Sequence, residues 1–379
     1  MPRVSEQQLR DYQTALGMRD RGATYQDIAN HFGLNSPSNG RNLVNQGLRR
    51  AGRESEIRTR TISISHNGRT TTTTVETQIG FAMLQDLTFG VEFEVINASC
   101  NDAERIMTNA GFQLNNTGYT HSVMPIWKVV TDASLTSRTS NCEVVSPVLR
   151  GSDGLNEVRT VAKVLRDAGA SINQSCGMHI HIGVDGLISN EQQAHVIKAH
   201  QQWSHAFDAL VVEGRINGQW ARKIDRGTAL DIADEWTQHA DLRNGNSFAT
   251  ASQYRYRSLN LNAFAKYGTF EFRSHQGSLN GLNATAWIAF HTAFIKAAHL
   301  LSAEYQSPWA LLSNQGVATE CNERMNDLSI EGRTVSRAAQ VEACKYLANR
   351  LREMGLLDEA CADHIINRAG NIPARSNNN

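Results

Sequence analysis

The residues of this chain best suited to chemistry sit two apart in short apolar runs. In Gly90-Val91-Glu92-Phe93-Glu94-Val95 two carboxylates alternate with apolar side chains, and in Gly177-Met178-His179-Ile180-His181-Ile182 two imidazoles do the same. Phe270-Glu271-Phe272-Arg273 spaces an acid and a guanidinium alike. Glu143 in Cys142-Glu143-Val144-Val145, and Asp132 just beyond Trp127-Lys128-Val129-Val130, add further acids. Side chains two apart on a β-strand share a face, so each run predicts a strand with one polar and one apolar side. A single strand of this kind is most simply half-exposed, its polar face in water. Recurrence changes the reading. One sheet with helices on its apolar face would gather Glu92, Glu94, Glu143, His179, His181, Glu271 and Arg273 on the other. Carboxylates crowded into one cavity are costly to desolvate unless cations lie between them.

The donor types indicate which cation to expect. Many carboxylates, two imidazoles and no thiolate suit Mg²⁺, with Mn²⁺ as the alternative, better than zinc. A His-x-His pair alone would fit a zinc hydrolase as well. Carboxylate-held Mg²⁺ commonly also holds substrate phosphates, which points to a nucleotide, although no P-loop G-x-x-x-x-G-K-[ST] is present. Such a site can join a carboxylate to an amine. Oxide is too poor a leaving group for direct amide formation, so ATP must first phosphorylate the carboxylate. Mg²⁺ and Arg273 would offset the charge developing on the phosphoryl group. No covalent nucleophile is needed, in keeping with the absence of G-x-S-x-G. Cys176 reads as a small buried thiol.

These residues need a scaffold, and the 379-residue chain is long enough for two or three domains. Lys+Arg and Asp+Glu both number 37, so net charge gives no sign of a polyanionic partner, though a local basic patch stays open. The six cysteines include no C-x-x-C pair, which argues for reduced thiols rather than a disulfide framework or zinc knuckle. The polar N-terminus and the lack of a long uncharged apolar stretch predict a soluble, cytoplasmic protein without a membrane span.

Residues 1–58 read as short helices. Thr24 stands as a cap before Asp27, Ile28 and Phe32 share a face, and Gly33 suits a turn. The following polar helix carries Arg41, Arg49 and Arg50, which is similar to a helix-turn-helix unit and would suit nucleic acid; a plain protein-docking module is the other reading. Residues 59–83 predict a β-hairpin turning at Asn67-Gly68, serving as arm, linker or contact between copies of the chain in a homo-oligomer. Residues 84–304 alternate strands with helices predicted over Asn101–Ala110, Gly154–Ala168, Asn190–Glu213 and Asn283–Glu304. RYRSLNLNAF is among the predicted strands. Helices again fill 305–379. The fold class expected is α+β with a mixed, largely antiparallel sheet and helices on one face. Trp203, Phe207, Leu210, Trp287, Phe290 and Phe294 recur at helical spacing and read as core. His195, His200 and His205 read as solvent-facing or hydrogen-bonded.

Taken in order, GVEFEV, WKVVTDASL, CEVVSPVLRG, NQSCGMHIHIG, RYRSLNLNAF and GTFEFRSHQGSLN resemble the motifs of the amidoligase family, carboxylate–amine ligases related to glutamine synthetase and glutamate–cysteine ligase. The resemblance covers roughly residues 86–300 and implies a glutamine synthetase-like sheet, with ATP and Mg²⁺ as cofactors. It further implies metal-holding roles for Glu92, Glu94, Glu143, His179 and Glu271. His181 and Arg273 would face substrate or nucleotide, and Asp132, Arg257 and Asn260 sit in family-like motifs at the same site. Two rivals remain at this level: a metal-dependent hydrolase using the same cluster, and a DNA-binding or scaffolding protein with an inactive ligase-like core. The carboxylate and amine could belong to an amino acid, a peptide or a protein.

Overall fold

Alternating apolar and polar side chains make the strands, and their pairing makes the sheet that carries the site. The computed structural model describes residues 6–20, 25–34, 37–50, 59–66, 69–76, 87–118, 120, 122–216, 218–238, 242–243, 247–303 and 337–372. Its strands are β1 (Thr59–His66), β2 (Arg69–Glu76), β3 (Thr88–Ile96), β4 (Leu114–Asn116), β5 (Trp127–Val130), β6 (Asn141–Val145), β7 (Leu149–Arg150), β8 (Met178–Gly183), β9 (Leu259–Asn260) and β10 (Thr269–Phe272). The main sheet is open, in the order β4-β5-β6-β3-β8-β10-β9, and β7 pairs with the start of β3. Every pairing is antiparallel except β4 with β5.

Register decides what meets on the polar face, because directly opposed residues point the same way. Glu92 lies opposite His179, Glu94 opposite Glu143, and Glu271 opposite both His181 and Asn260. The other face presents Val91, Phe93, Val95, Ile180, Ile182, Phe270 and Phe272, all buried.

The helices of this part are α4 (Cys100–Asn109), α5 (Gly151–Asp167), α6 (Asn190–Gln202), α7 (Ser204–Asp208), α8 (Arg226–Gln238), α9 (Asn262–Tyr267), α10 (Gly281–Ala303), α11 (Arg337–Glu353) and α12 (Glu359–Gly370). Of these, α4, α5 and α10 pack on the strands, α11 and α12 on α10, and α9 also lines the polar side. Ser99 and Asp102 start α4 with a reciprocal capping box. α10 is apolar on nearly every side and buried over most of its described length, with Trp287, Phe290, Phe294 and Ile295 all at 0 % exposure. It packs against α5, α6, α11, α12 and β8. Residues of α11 and α12, such as Leu347 and Ile365, join the same core as the sheet. Among the described residues no helix is long and apolar enough to cross a membrane.

Three expectations are corrected. The helix expected over Asn190–Glu213 breaks at Trp203, whose indole stacks on Tyr346 of α11 (5.9 Å, 4°) while the chain restarts as α7. The strand expected in RYRSLNLNAF shrinks to the two residues of β9. Its last residues, from Asn262, turn into α9, which buries Ala263 and Phe264 and ends at Gly268 with φ 69°, a conformation that favours glycine. His200, read as solvent-facing or hydrogen-bonded, does not face solvent: it is buried and stacked on Phe207 (5.2 Å, 19°).

The N-terminal helices α1 (Glu6–Asp20), α2 (Tyr25–His31) and α3 (Pro37–Arg50) enclose a separate small core of Ala15, Ile28, Val44 and Leu48. Gly33 makes the expected turn at φ 63°. Arg50 donates to Gln46 Oε1 (2.8 Å) and lies over the Tyr12 ring, while the Arg41 and Arg49 side chains and Thr24 lie outside the described residues. β1 and β2 pair antiparallel with His66 opposite Arg69, and the turn expected at Asn67-Gly68 lies outside the described residues.

Candidate active site

The polar face opens into a cleft of ≈ 280 Å³ lined by Glu92, Glu94, Asp132, Glu143, His179, His181, Asn260, Glu271 and Arg273. Among the residues singled out in the sequence, Arg257 is the exception. It is not part of the lining, and its Nη1 donates to the Lys223 carbonyl (3.0 Å).

Strand geometry sets the inner contacts. His179 Nδ1 lies 2.8 Å from Glu92 Oε2 and 3.7 Å from Glu271 Oε1, and its Nε2 lies 3.7 Å from Glu94 Oε1. His181 Nε2 stands 3.3 Å from Glu92 Oε1 and 3.9 Å from Glu271 Oε2, while its Nδ1 meets Thr269 Oγ1 at 3.0 Å. Glu271 is ion-paired with Arg273 and accepts from Asn260 Nδ2 (2.5 Å). Glu94 accepts from the Gly177 amide.

The electrostatics follow from this crowding. Burial would raise the Glu92 carboxyl, but the hydrogen bond with His179 and the closeness of both imidazoles hold it well below the usual carboxylate range. Burial likewise opposes ionisation of Glu271, and Arg273 and His181 overcome it. Burial would lower His181, yet Glu271 and Glu92 raise it. Glu143 goes the other way: burial, then the charges of Glu92 and Glu94, push it well above the usual range. A buried carboxyl pushed up by the acids around it marks a place where a cation would be accepted in the proton's stead.

Three overlapping donor groups could hold a metal: Glu92, His181 and Glu271; Glu92, Glu143 and His179; and Glu94, Asp132 and Glu143, each with ligand atoms within 4.8 Å of one another. His181 Nε2 and Asn260 Oδ1 are buried without a hydrogen-bond partner, as atoms awaiting a ligand would be. Oxygen-rich donors with imidazole suit Mg²⁺ or Mn²⁺, so these residues fit the metals expected from the sequence.

Sequence reading missed several cleft residues, among them Trp220, Tyr256 and Arg215, and a lysine on the same face of the sheet. Lys128 sits on the polar face, where register puts it opposite Val145 as Glu92 is, and donates to the Thr120 and Ser122 carbonyls (3.3 and 2.7 Å). The lysine in WKVV could have been found by the same alternation rule. Trp220 and Tyr256 form an edge-to-face pair (5.1 Å) at the rim, both over 40 % exposed. Arg215 enters from a single 3₁₀ turn, Glu213–Arg215, a segment with no periodic signal.

A protein-family model described as putative amidoligase enzyme matches residues 85–295, more than half of the chain and a span that contains all the cleft residues. No curated protein matches the chain.

Proposed function

The chain belongs to the amidoligase family, and from that premise we propose an ATP- and Mg²⁺-dependent carboxylate–amine ligase that works through an acyl phosphate on a glutamine synthetase-like sheet. The observation that carries this reading is the convergence of four glutamates and two histidines from four adjacent strands into one cleft, with Glu143 forced to keep its proton. Glu92, Glu94, Glu143, His179 and Glu271 would hold the metal. When bound, Mg²⁺ supplies charge neutralisation at the phosphoryl oxygens.

The chain's own groups supply positioning. His181 and Asn260, each with an unpartnered buried atom, and Arg273, oriented by Glu271, line the β9 side and would orient the substrate carboxylate. One carboxylate oxygen bonds to the γ-phosphorus as the bond to the bridging oxygen breaks, and ADP leaves with that electron pair. The amine nitrogen then bonds to the acyl carbon, and the carbon–oxygen bond to phosphate breaks. Asp132, which lines the cleft beyond β5, would take the proton that the amine loses.

The test is thermal denaturation with Mg²⁺ and ATP on the wild type, Glu94→Ala and His179→Ala. A ligand at 100 times its Kd stabilises by about 2.7 kcal/mol. A Mg²⁺-dependent shift in wild type, lost in both variants, supports the ligase. A shift with zinc alone and none with ATP would move the site to a metal-dependent hydrolase.

A further inference from the structure

Three arginines line the cleft: Arg255 lies over the exposed Tyr256 ring (5.7 Å), and the surroundings of Arg273 and Arg215 differ. Arg273 is committed within the protein: Nη1 is ion-paired with Glu271 and Nε donates to the Trp220 carbonyl (3.3 Å). Arg215 uses Nη2 on the Arg273 and His275 carbonyls (3.3 and 2.9 Å), and among the described residues no carboxylate forms an ion pair with it. Glu94 is the acid whose charge most supports it, but the Glu94 carboxylate is taken up by the Gly177 amide and stands near His179. A guanidinium has five N–H donors, and neutral carbonyls on one nitrogen leave most of its fork without a charged partner.

Its position narrows what that partner is. A Cβ built on Gly177 would lie 2.8 Å from Arg215 Nη2, 3.1 Å from His179 Nε2 and 3.3 Å from Glu94 Oε2. Glycine thus permits a close approach of the guanidinium to two metal-ligand candidates, one that a Cβ would obstruct. An anion in the cleft that Arg215 lines would therefore lie beside a cation held by His179 and Glu94.

We propose that Arg215 is the anion-binding arginine of this cleft and receives the transferred phosphoryl group of the nucleotide, whereas Arg273 neutralises Glu271 and serves the carboxylate side. The assignment rests on the ligase reading and adds to it a residue from outside every recognised motif. Guanidinium on a phosphoryl oxygen is a charge-assisted, fork-shaped contact that lysine reproduces in charge but not in geometry.

Isothermal titration calorimetry on the full chain tests it, using Mn²⁺ alone, Mg²⁺-ADP, and the Mg²⁺ complex of β,γ-imido-ATP. The variants are Arg215→Gln, which keeps a donor for the two carbonyls, Arg215→Lys, and Arg273→Gln. The wild type should prefer the triphosphate analogue. Arg215→Gln should weaken it by about 10- to 100-fold, with ADP and Mn²⁺ affinities nearly unchanged, as expected for a lost charge-assisted hydrogen bond. Arg215→Lys should recover part of the loss, and Arg273→Gln should retain the triphosphate preference. Wild-type preference that persists in Arg215→Gln, or is lost in Arg273→Gln instead, overturns the assignment and leaves the ligase reading intact. Mn²⁺ binding with no nucleotide binding in wild type overturns both.

Discussion

Two histidine pairs lie on opposite sides of the same sheet. His179 and His181 face Glu92, Glu94 and Glu271, and the acids raise His181 against its burial. His275, two residues beyond Arg273, faces the core instead. Its Nε2 meets His291 Nε2 at 2.7 Å, its ring stacks on Trp287 (4.0 Å), and His291 stacks on Phe272 (3.9 Å). With no acid among these contacts, burial drives His275 down to about 3 and His291 well below its ordinary value. A histidine pair therefore does not announce a site. What its neighbours can do with a proton or a cation decides.

The sharpest way to break this comparison is to delete one member from each side. His179→Ala should abolish metal-supported chemistry, by 10³-fold or more on the several kcal/mol that a catalytic cation provides. Calorimetry with Mn²⁺ would show the affinity lost while the melting temperature stays near wild type. Trp287→Ala, which removes the stacking partner of His275, should cost about 3–5 kcal/mol of stability by creating a core cavity. Cation binding to the folded fraction should survive it. A stable Trp287→Ala protein would mean that the core side is not packed as described.

Next in size is the response to acid. His200 and His275 are both depressed to about 3. The unfolded chain binds their protons from about pH 6.5 downward, and the folded protein does not until about 3. Their stabilisation is therefore complete above about pH 6.5. It falls by about 1.4 kcal/mol per pH unit for each histidine as pH drops through that window. Urea titrations at several pH values measure the slope, and His200→Phe should flatten it. The smallest effect expected concerns the core pair itself. His275→Leu or His291→Leu alone strands the other imidazole at a cost of about 1–3 kcal/mol, while the double variant should be less destabilised than the two losses summed. Additive losses would show that the Nε2 contact contributes nothing.

Much of the polar face was legible beforehand. Glu92, Glu94, Glu143, His179, His181 and Glu271 could be gathered because period-two alternation assigns a face to each residue from local sequence alone. Asp132 and Asn260 came with the motifs around them. Arg257 shows where that method stops: its motif places it near the cleft, but whether a long side chain turns inward depends on nearby backbone, here the Lys223 carbonyl. The break at Trp203 and the folding of 262–267 into α9 were hidden for the same reason, since each is settled by a partner far along the chain or by close packing.

By itself, then, the sequence determined the alternation that makes the strands, the sides on which acids and apolar residues fall, the apolar continuity that buries α10, and the motif order that marks the family. Tertiary structure decided the rest. Strand register set which acid opposes which histidine, and so which carboxyl keeps its proton. The approach of a non-periodic turn to Gly177 brought Arg215 to the cleft. The physical reason is one of range: side-chain facing is fixed by bonds within a few residues, whereas electrostatics in a cleft depend on groups that the chain brings together only when it folds.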